Sequence, residues 1–320
     1  MLAFLIRRTI GAALVCLAVT FIVFLIFIVV PGGGKLGTAE RIAGKNATQQ
    51  NVLNVEHQWG FDRPIYVQYA KMLQQMFTGK LTSYVSSQKV VSQIWQGVPI
   101  TLSLTIGASI IWLFFGILVG VISAVTAGRL SDRVITVLAL IGISMPVFWL
   151  GIIARYYLAE GGITTFFPDG EYVGITHSPL GWFSHLFLPW LVLAVLFIGF
   201  YGRVLRGNIL DTINEDYVRT ARAKGLTPRR ILIRHVLRTS LIPIVTLFGL
   251  DFAGVLGGGA ILTETVFDLH GVGQYAEQSI NAFDLPPIMG VTMYGAFFIV
   301  LFSIFVDLFY AYLDPRIRPT

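Results

Sequence analysis

The chain has 320 residues, of which 55% are hydrophobic and 12% charged, and its mean hydropathy is +0.74. Soluble globular domains carry about twice that charged fraction, so the composition excludes an ordinary soluble protein and indicates a membrane protein. The net charge of +6 is typical of topogenic basic loops rather than of nucleic-acid binding. The single cysteine, Cys16, excludes a disulfide within the chain.

The first apolar run covers residues 9–30 and follows Arg7 and Arg8. Its length exceeds the about 7–15 residues of a signal-peptide core and matches the about 20 residues that cross a bilayer. No small-residue cleavage pattern precedes Pro31. We therefore predict that residues 1–30 form a retained N-terminal transmembrane helix.

A more polar segment, residues 31–98, separates the first and second apolar runs. Within it, residues at helical spacing predict an amphipathic helix in a small domain outside the bilayer. These residues are Ile65, Tyr69, Met72 and Met76. The GGGKLG motif at 32–37 lacks the first glycine and the Ser or Thr of a phosphate loop, so we reject a nucleotide site there. Residues 33–50 are expected to be mobile.

Residues 99–320 contain five further apolar runs, which makes six predicted transmembrane helices in an all-α protein. The second predicted span is long enough for its beginning to lie outside the bilayer. Met145-Pro146 is expected to kink the third span, although simple packing is the preferred role of this pair. Pro243 and a glycine cluster at 254–259 interrupt the fifth span. The later spans are 99–127, 134–158, 186–205, 240–263 and 288–312.

The distribution of Lys and Arg predicts the orientation. The two termini, the loop 128–133 and the segment 203–238 hold 15 of the 23 basic residues, whereas the loops 159–185 and 266–287 hold none. Basic residues accumulate in cytoplasmic loops. Both termini and residues 203–238 are therefore predicted to be cytoplasmic, and residues 31–98 external.

The segment 203–238 connects the fourth and fifth predicted spans, and it contains the most polar stretch of the chain. On a helical wheel its apolar residues, which are small apart from Tyr217, share one face, whereas Glu215, Arg219 and Arg222 lie opposite. This pattern favours a helix that docks in a protein groove, and a basic anchor on anionic lipid is the alternative. Gly225 fits the left-handed helix end, and Thr227-Pro228 fits the start of a second helix. The apolar face consists of Tyr217, Val218, Ala221 and Gly225.

Acidic residues at membrane depth are costly and often functional. Asp251 lies within the fifth predicted span, Glu264 directly follows it, and Asp307 lies in the sixth. Asp251 and Glu264 are candidates for contact with a cationic cargo, and an interhelical hydrogen bond is the alternative for each. Asp307 is expected to be structural. The five histidines have no metal-ligand spacing, and no nucleophile–base arrangement is apparent.

The whole chain resembles the permease subunits of ABC importers, in particular the dipeptide and oligopeptide branch. The stretch EDYVRTARAKGLTPRRILIRHVLRTSLIPIVT, at 215–246, resembles the coupling loop of that family, and we assign the loop itself to residues 208–238. The general motif of the family has Glu-Ala-Ala six residues before the glycine, and this chain matches it only at Ala221 and Gly225. Lys80 stands where the family usually has an acidic residue. The other similar segments are LIRRTIGAALV, WGFDRPIYVQY, VPITLSLTIGA, GISMPVFWLGI, LTETVFDLHGVGQ and DLFYAYLDPRIRP.

The resemblance implies a pathway subunit in a bacterial or archaeal plasma membrane that is not itself an enzyme. It implies no cofactor in this chain, because ATP and Mg²⁺ would be bound by two cytosolic ATPase subunits. The other implied partners are a second permease, an external substrate-binding protein and the lipid bilayer, without nucleic acid. Coupling to the ATPase is assigned to Asp216, Tyr217, Val218, Arg219, Thr220, Ala221, Ala223, Lys224 and Gly225.

Several alternatives remain open. The same machinery could carry nickel, glutathione or oligosaccharides, since cargo selection would lie largely in the binding protein. A stand-alone ion-coupled carrier would use Asp251 and Glu264 as coupling sites, but we find no inverted repeat to support it. A membrane enzyme would need a convergent nucleophile or metal constellation, and the sequence offers none.

Overall fold

The computed structural model describes residues 2–29, 39–40, 43, 48–163 and 165–313. The GGGKLG motif, most of residues 33–50, the side chain of Asp307 and the C-terminal arginines lie outside the described residues. The described part is α-helical, and its β-structure consists of two isolated bridges. The helices are α1 Leu2–Val29, α2 Gln49–Trp59, α3 Ile65–Phe77, α4 Val90–Val125, α5 Leu130–Ser144, α6 Val147–Leu158, α7 Pro179–Thr212, α8 Asp216–Ala223, α9 Pro228–Ile231, α10 Leu237–Ser240, α11 Ile242–Gly254, α12 Ile261–Val266, α13 Val272–Asn281 and α14 Leu285–Leu313.

Five of these helical stretches are long and apolar enough to cross a membrane, and they contain α1, α4, α7, α11 and α14. The short helices α5 and α6 form a bent pair that supplies a sixth crossing if the pair is counted as one span. Many large apolar side chains on α4 and α5 are exposed, including Ile110, Phe114 and Leu138. Such exposure fits contact with lipid. The predicted all-α membrane architecture is confirmed.

The third predicted span is broken at Met145 and Pro146, where α5 and α6 meet at an angle of 99°. Met145 is extended, with φ −78° and ψ 125°, because a residue that precedes proline is pushed out of the helical region. The predicted kink at this pair is confirmed, since the chain turns there by almost a right angle, and the preferred packing role stays a prediction.

The fifth span is also broken. After α11, residues Val255–Gly259 form a π-helical turn in which Gly258 has a φ of 135°, a conformation that side chains other than glycine rarely allow. Gly257 contacts Gly295 of α14 through backbone atoms, so these two elements approach closely. The predicted interruption of this span is confirmed, and it separates α11 from α12.

The helices α4 and α7 form the centre of the bundle. They contain 36 and 34 residues, which correspond to about 54 and 51 Å of helix, whereas the bilayer core is about 30 Å thick. Both therefore extend beyond the bilayer. Their contact contributes to one large apolar cluster that includes Leu104, Trp112 and Leu205. We call the end of the bundle that carries residues 203–240 the basic end, and the end that carries Val90 the opposite end.

The segment between α1 and α4 folds onto its own chain at the opposite end. The predicted helix is α3, and its Met72 is buried in a cluster with Phe24 of α1 and Leu285 and Met289 of α14. The Tyr69 hydroxyl lies 2.9 Å from the hydroxyl of Thr20 on α1. The described part of this segment is therefore a packed cap on α1 and α14.

Asp284 fastens the end of this segment to the start of α14. Its buried carboxylate accepts hydrogen bonds from the Ser83 hydroxyl, from the Tyr84 backbone at 3.0 Å and from the Val85 backbone at 3.4 Å. Burial, helped by the Asp284 charge, raises the pKa of Tyr84 above its usual range and raises that of Tyr275 to about 12. These phenols therefore stay neutral beside the carboxylate.

Candidate functional site

The helix α8 lies at the basic end and is joined to α7 by three residues, 213–215. One side of this short helix is buried: Val218 is 0% exposed and Ala221 5%. Both belong to the same apolar cluster as Leu205 and Ile209 of α7. Burial of a valine side chain stabilises the folded state by about 1.5–3 kcal/mol. The helix is therefore packed against the bundle and does not hang free in a loop.

The predicted docking of the small apolar face of α8 in a partner's groove is wrong for Val218 and Ala221. Both side chains are covered by this chain's own bundle. The physical reason is that a short helix held beside α7 must bury its only apolar stripe there, and small residues let the two backbones approach. The surface that remains exposed is mostly polar, and it includes Asp216, Arg219, Thr220, Arg222 and Lys224 beside Ala223.

The exposed side of α8 carries one ion pair and one aromatic residue. Arg219 and Asp216 form an exposed ion pair at 3.5 Å, and a pair of this kind contributes little stability. Tyr217 is 43% exposed, and its hydroxyl donates to the Thr239 hydroxyl at 3.2 Å and to the His235 carbonyl at 3.4 Å. Tyr217 thus connects α8 to the segment that returns to the membrane.

The C-terminal end of α8 has the geometry predicted from its glycine. Gly225 has a φ of 76°, and its N–H donates to the Arg222 carbonyl at 2.9 Å. The Leu226 N–H donates to the Ala221 carbonyl at 3.3 Å. These two bonds form a Schellman motif, which uses a left-handed residue after the helix. A Cβ atom on Gly225 would meet nothing within 4 Å, so the position faces open space.

The segment after α8 returns along α7. Pro228 is the first residue of α9 and Thr227 its N-cap, as predicted, although the Thr227 side chain makes no capping hydrogen bond. The Ser240 hydroxyl lies 3.1 Å from the Thr212 hydroxyl and donates to the Asn208 carbonyl at 3.2 Å. The helix α8 is therefore held between the end of α7 on one side and α10 on the other.

Asp251 lies on α11 and is half-buried. The hydroxyl of Tyr201, a fully buried residue of α7, donates to its Oδ2 at 2.7 Å. Sequence reasoning identified Asp251 but missed Tyr201. The available signal was a tyrosine within an apolar span, because a buried phenol hydroxyl needs a partner. This pair joins α7 to α11 and leaves part of the carboxylate open.

Glu264 lies on α12 and is 0% exposed. Its Oε1 accepts from the Thr101 hydroxyl at 2.7 Å, and its Oε2 accepts from the Gln274 N–H at 2.9 Å. The Thr101 hydroxyl in turn accepts from the Val272 N–H at 2.9 Å. The N-cap of α13 is a glycine without a side chain, so Glu264 satisfies the free N–H groups at that helix start. Asp251 and Glu264 are thus held by different elements.

Comparison with known proteins connects these features to a family. A family model for the binding-protein-dependent transport system inner membrane component matches residues 116–319, and a model for the N-terminal part of such components matches residues 1–105. A putative peptide transport system permease of Brucella abortus strain 2308 is 35% identical over 99% of both chains. A probable D,D-dipeptide transport system permease of Escherichia coli K12, DdpB, is 36% identical over 97% of this chain and 96% of its own.

A solved structure has the same fold. A chain of the MetNI methionine ABC transporter in an inward-facing form superposes with a TM-score of 0.55 at 18% identity. The match covers 71% of this chain and 99% of that one. The two family models and the near full-length relatives indicate the same family, and the solved structure shares its fold with this chain. This chain belongs to the family of binding-protein-dependent transport system inner membrane components.

Proposed function

We propose that this chain forms part of the membrane path of an ATP-driven ABC importer for di- or oligopeptides. The observation that carries this proposal is α8, a short helix packed between α7 and α10 with a polar surface turned outward. A helix held in this way can receive a push from a partner and pass it to the long helix α7. Family membership and the peptide permeases among the relatives support the cargo class.

The basic end would face the cytosol. The segment 203–238 contains nine Lys and Arg residues, and such segments stay on the cytoplasmic side. Both termini would then be cytoplasmic in a bacterial or archaeal plasma membrane. The cap formed by α2 and α3 would face outward.

ATP chemistry would take place in partner subunits. Two cytosolic ATPases would bind ATP and Mg²⁺, and one of them would contact the exposed residues of α8, with Gly225 at the edge. Closure of the ATPase pair would displace α8, and the helices would switch from an inward-open to an outward-open arrangement. A second permease would complete the path, and an external binding protein would deliver the peptide at the opposite end. In this scheme the chain itself catalyses no reaction.

Asp251 is the preferred candidate for cargo contact. It is half-buried at membrane depth, and the described hydrogen bonds occupy one of its two carboxylate oxygens. A carboxylate in this setting can attract the ammonium group of a peptide amino terminus. Glu264 also stays a candidate, but in this conformation its carboxylate is enclosed and already accepts hydrogen bonds from two elements.

The test is purification of the tagged chain from its native host in mild detergent, with mass spectrometry of the proteins that accompany it. Recovery of ATPases, a second permease and a binding protein is expected. The recovered complex should then take up radiolabelled dipeptides in proteoliposomes only when ATP is supplied. Uptake of nickel, glutathione or an oligosaccharide instead of peptides would overturn the peptide assignment and identify that molecule as the cargo. Transport by the chain alone without ATP would support the ion-coupled carrier.

A further inference from the structure

A second charged site lies at the basic end and is separate from α8. It contains Asp132 in the first turn of α5, which is 4% exposed. The Arg206 guanidinium of α7 donates to both of its carboxylate oxygens, from Nε to Oδ1 at 2.8 Å and from Nη2 to Oδ2 at 2.8 Å. The Ser123 hydroxyl of α4 donates to Oδ1 at 2.5 Å, and the Gly128 N–H donates to Oδ2 at 2.9 Å. We call these four residues the Asp132 clamp.

The Asp132 clamp joins three helices through one carboxylate. Each oxygen accepts two hydrogen bonds, so the buried charge is fully satisfied. Two parallel bonds from one guanidinium fix the orientation as well as the distance between the partners. A relative sliding of α5 and α7 would have to break several of these bonds together. The clamp therefore resists separation of α4, α5 and α7 at this end.

The position of the clamp connects it to α8. Arg206 lies in the last two turns of α7, and three residues after α7 the chain enters α8. Between them, Ile209 of α7 shares an apolar cluster with the buried residues of α8. A displacement of α8 therefore reaches Arg206 through packed side chains and a short covalent link.

From Asp132 the contacts continue to the opposite end. Helix α5 is followed by the bend at Met145-Pro146 and by α6. On α6, Arg155 donates from Nη1 to the Val266 carbonyl of α12 at 2.7 Å. The same helix α12 carries Glu264, which holds the start of α13. A continuous series of contacts thus runs from α8 to the elements at the other end of the bundle.

We propose that the Asp132 clamp is the joint that makes α5 follow α7 when α8 is displaced, so that Asp132 and Arg206 are positioning residues for transport. This inference rests on the proposed function, because it takes α8 to be the element that the ATPase moves. It assigns no contact with cargo or nucleotide to the clamp. Loss of the clamp should separate ATP hydrolysis from transport, whereas a merely structural role would reduce both through loss of folded complex.

The experiment uses the complete complex, recovered with its partners, in proteoliposomes. Asp132→Asn and Arg206→Lys are compared with matched controls: Asp211→Asn changes an exposed carboxylate on α7, and Arg203→Lys changes an exposed cation on the preceding turn. Uptake of peptide per ATP hydrolysed should fall about tenfold in the clamp variants, while ATP hydrolysis stays within about twofold and the controls keep the unmodified ratio. Ser123→Ala removes one of four donors and should give a smaller loss of coupling, in a chain expected to fold.

A distance measurement tests the joint directly. The chain has one cysteine, so Cys16→Ser gives a cysteine-free background for spin labels at Arg222→Cys on α8 and Leu138→Cys on α5. In the unmodified clamp the label-to-label distance should stay the same when ATP is trapped, and in Asp132→Asn it should change. A distance that changes with the clamp intact would overturn the inference.

The failures of the two proposals can be distinguished. An unmodified complex that lacks ATP-driven peptide uptake would overturn the peptide-importer function and, with it, this inference. Unmodified uptake together with a normal ratio of peptide to ATP in Asp132→Asn and Arg206→Lys would overturn the clamp alone. Equal loss of uptake and ATP hydrolysis, with reduced recovery of complex, would also overturn it in favour of a structural role.

Discussion

The carboxylates of Asp132, Asp251, Glu264 and Asp284 differ in what surrounds them, and those surroundings separate their roles. Asp132 and Asp284 are buried and accept several hydrogen bonds from neighbouring elements. Glu264 accepts a hydrogen bond from a backbone N–H group at the start of α13. Asp251 is half-buried and bonded to one tyrosine hydroxyl. Because an occupied carboxylate has little capacity left for a ligand, Asp251 is the one we expect to respond to cargo.

Asp251→Asn should lower uptake of peptides with a free amino terminus about tenfold, the scale of one lost charge-assisted contact. Peptides with an acetylated amino terminus should be affected less, because they carry no ammonium group. Rates in proteoliposomes with both peptide types measure this difference. Asp211→Asn, on the exposed end of α7, serves as the control. Unchanged uptake in Asp251→Asn would assign Asp251 to interhelical bonding.

Gly225→Trp should reduce uptake for two reasons. The φ of 76° costs a side-chain-bearing residue about 1–2 kcal/mol, and the indole would project into the open space where a partner is proposed to dock. Gly225→Asn is the matched variant, since asparagine tolerates this conformation and has a small side chain. Uptake normalised to the amount of protein in the membrane checks both. Normal uptake in Gly225→Trp would exclude a close contact at this edge of α8.

At the scale of elements, this protein relies on joints between helices that are distant in sequence. The caps of α8 and α13 differ in this respect. The helix α8 ends with a local Schellman motif, whereas α13 begins with a carboxylate supplied from α12 and a hydroxyl supplied from α4. A local cap needs only neighbouring residues, but a tertiary cap also fixes how elements are arranged.

Glu264→Gln should destabilise the folded protein by about 1 kcal/mol, the value of a lost helix cap charge. A glutamine retains one acceptor oxygen, so it can serve Thr101 or the helix start but not both as the carboxylate does. Thermal unfolding in detergent, together with amide hydrogen exchange in residues 272–281, measures the effect. Glu277→Gln, a change on α13 itself, should alter this exchange less. Unaltered exchange in Glu264→Gln would contradict the capping role.

Asp284→Ala should release the end of the cap from α14. The backbone N–H groups of Tyr84 and Val85 and the Ser83 hydroxyl would lose their acceptor, at a cost of about 1–3 kcal/mol for buried donors. Faster hydrogen exchange in residues 65–89 is the expected observation, and Asp284→Asn should be intermediate because it keeps one acceptor. Exchange equal to that of the unmodified protein would mean that apolar packing of Met72 alone holds the cap.

In the whole molecule, charge bears on the orientation in the membrane, and packing bears on the shape of the bundle. The distribution of Lys and Arg predicts which end of the bundle stays in the cytosol. The contact of α4 with α7 and the two broken spans decide the shape of the bundle. Breaks at Met145-Pro146 and at the glycine cluster divide two of the spans into separate helices. Such divisions suit a protein that alternates between two arrangements.

The proposed orientation predicts a simple labelling pattern. In the Cys16→Ser background, Ile163→Cys lies in an exposed loop at the opposite end, and Arg222→Cys lies exposed on α8. A membrane-impermeant maleimide applied to intact cells should label Ile163→Cys at once and Arg222→Cys only after permeabilisation. The reverse labelling pattern would show that the protein has the opposite orientation, and it would contradict a contact between α8 and cytosolic ATPases.

Local sequence patterns were sufficient to predict the membrane class, the number of apolar runs, the breaks at Met145-Pro146 and at the glycine cluster, the helix α3 and the left-handed end of α8. Each of these depends on residues close together in the chain, through apolar length, helical spacing or the steric freedom of glycine. The expectation for α8 itself was only half right, because the wheel identified its apolar face but not what covers that face.

The partners of the buried polar groups, in contrast, follow from how distant segments pack together. Ser83 and Asp284 are 201 residues apart, Thr101 and Glu264 are 163 apart, and Arg206 and Asp132 are 74 apart. Periodicity and charge counts describe single segments, so they cannot indicate which distant segment supplies a hydrogen bond. Burial in a crowded bundle requires each of these groups to find a partner. Glu264 meets this requirement by capping α13, and Asp132 meets it by bonding to α4 and α7.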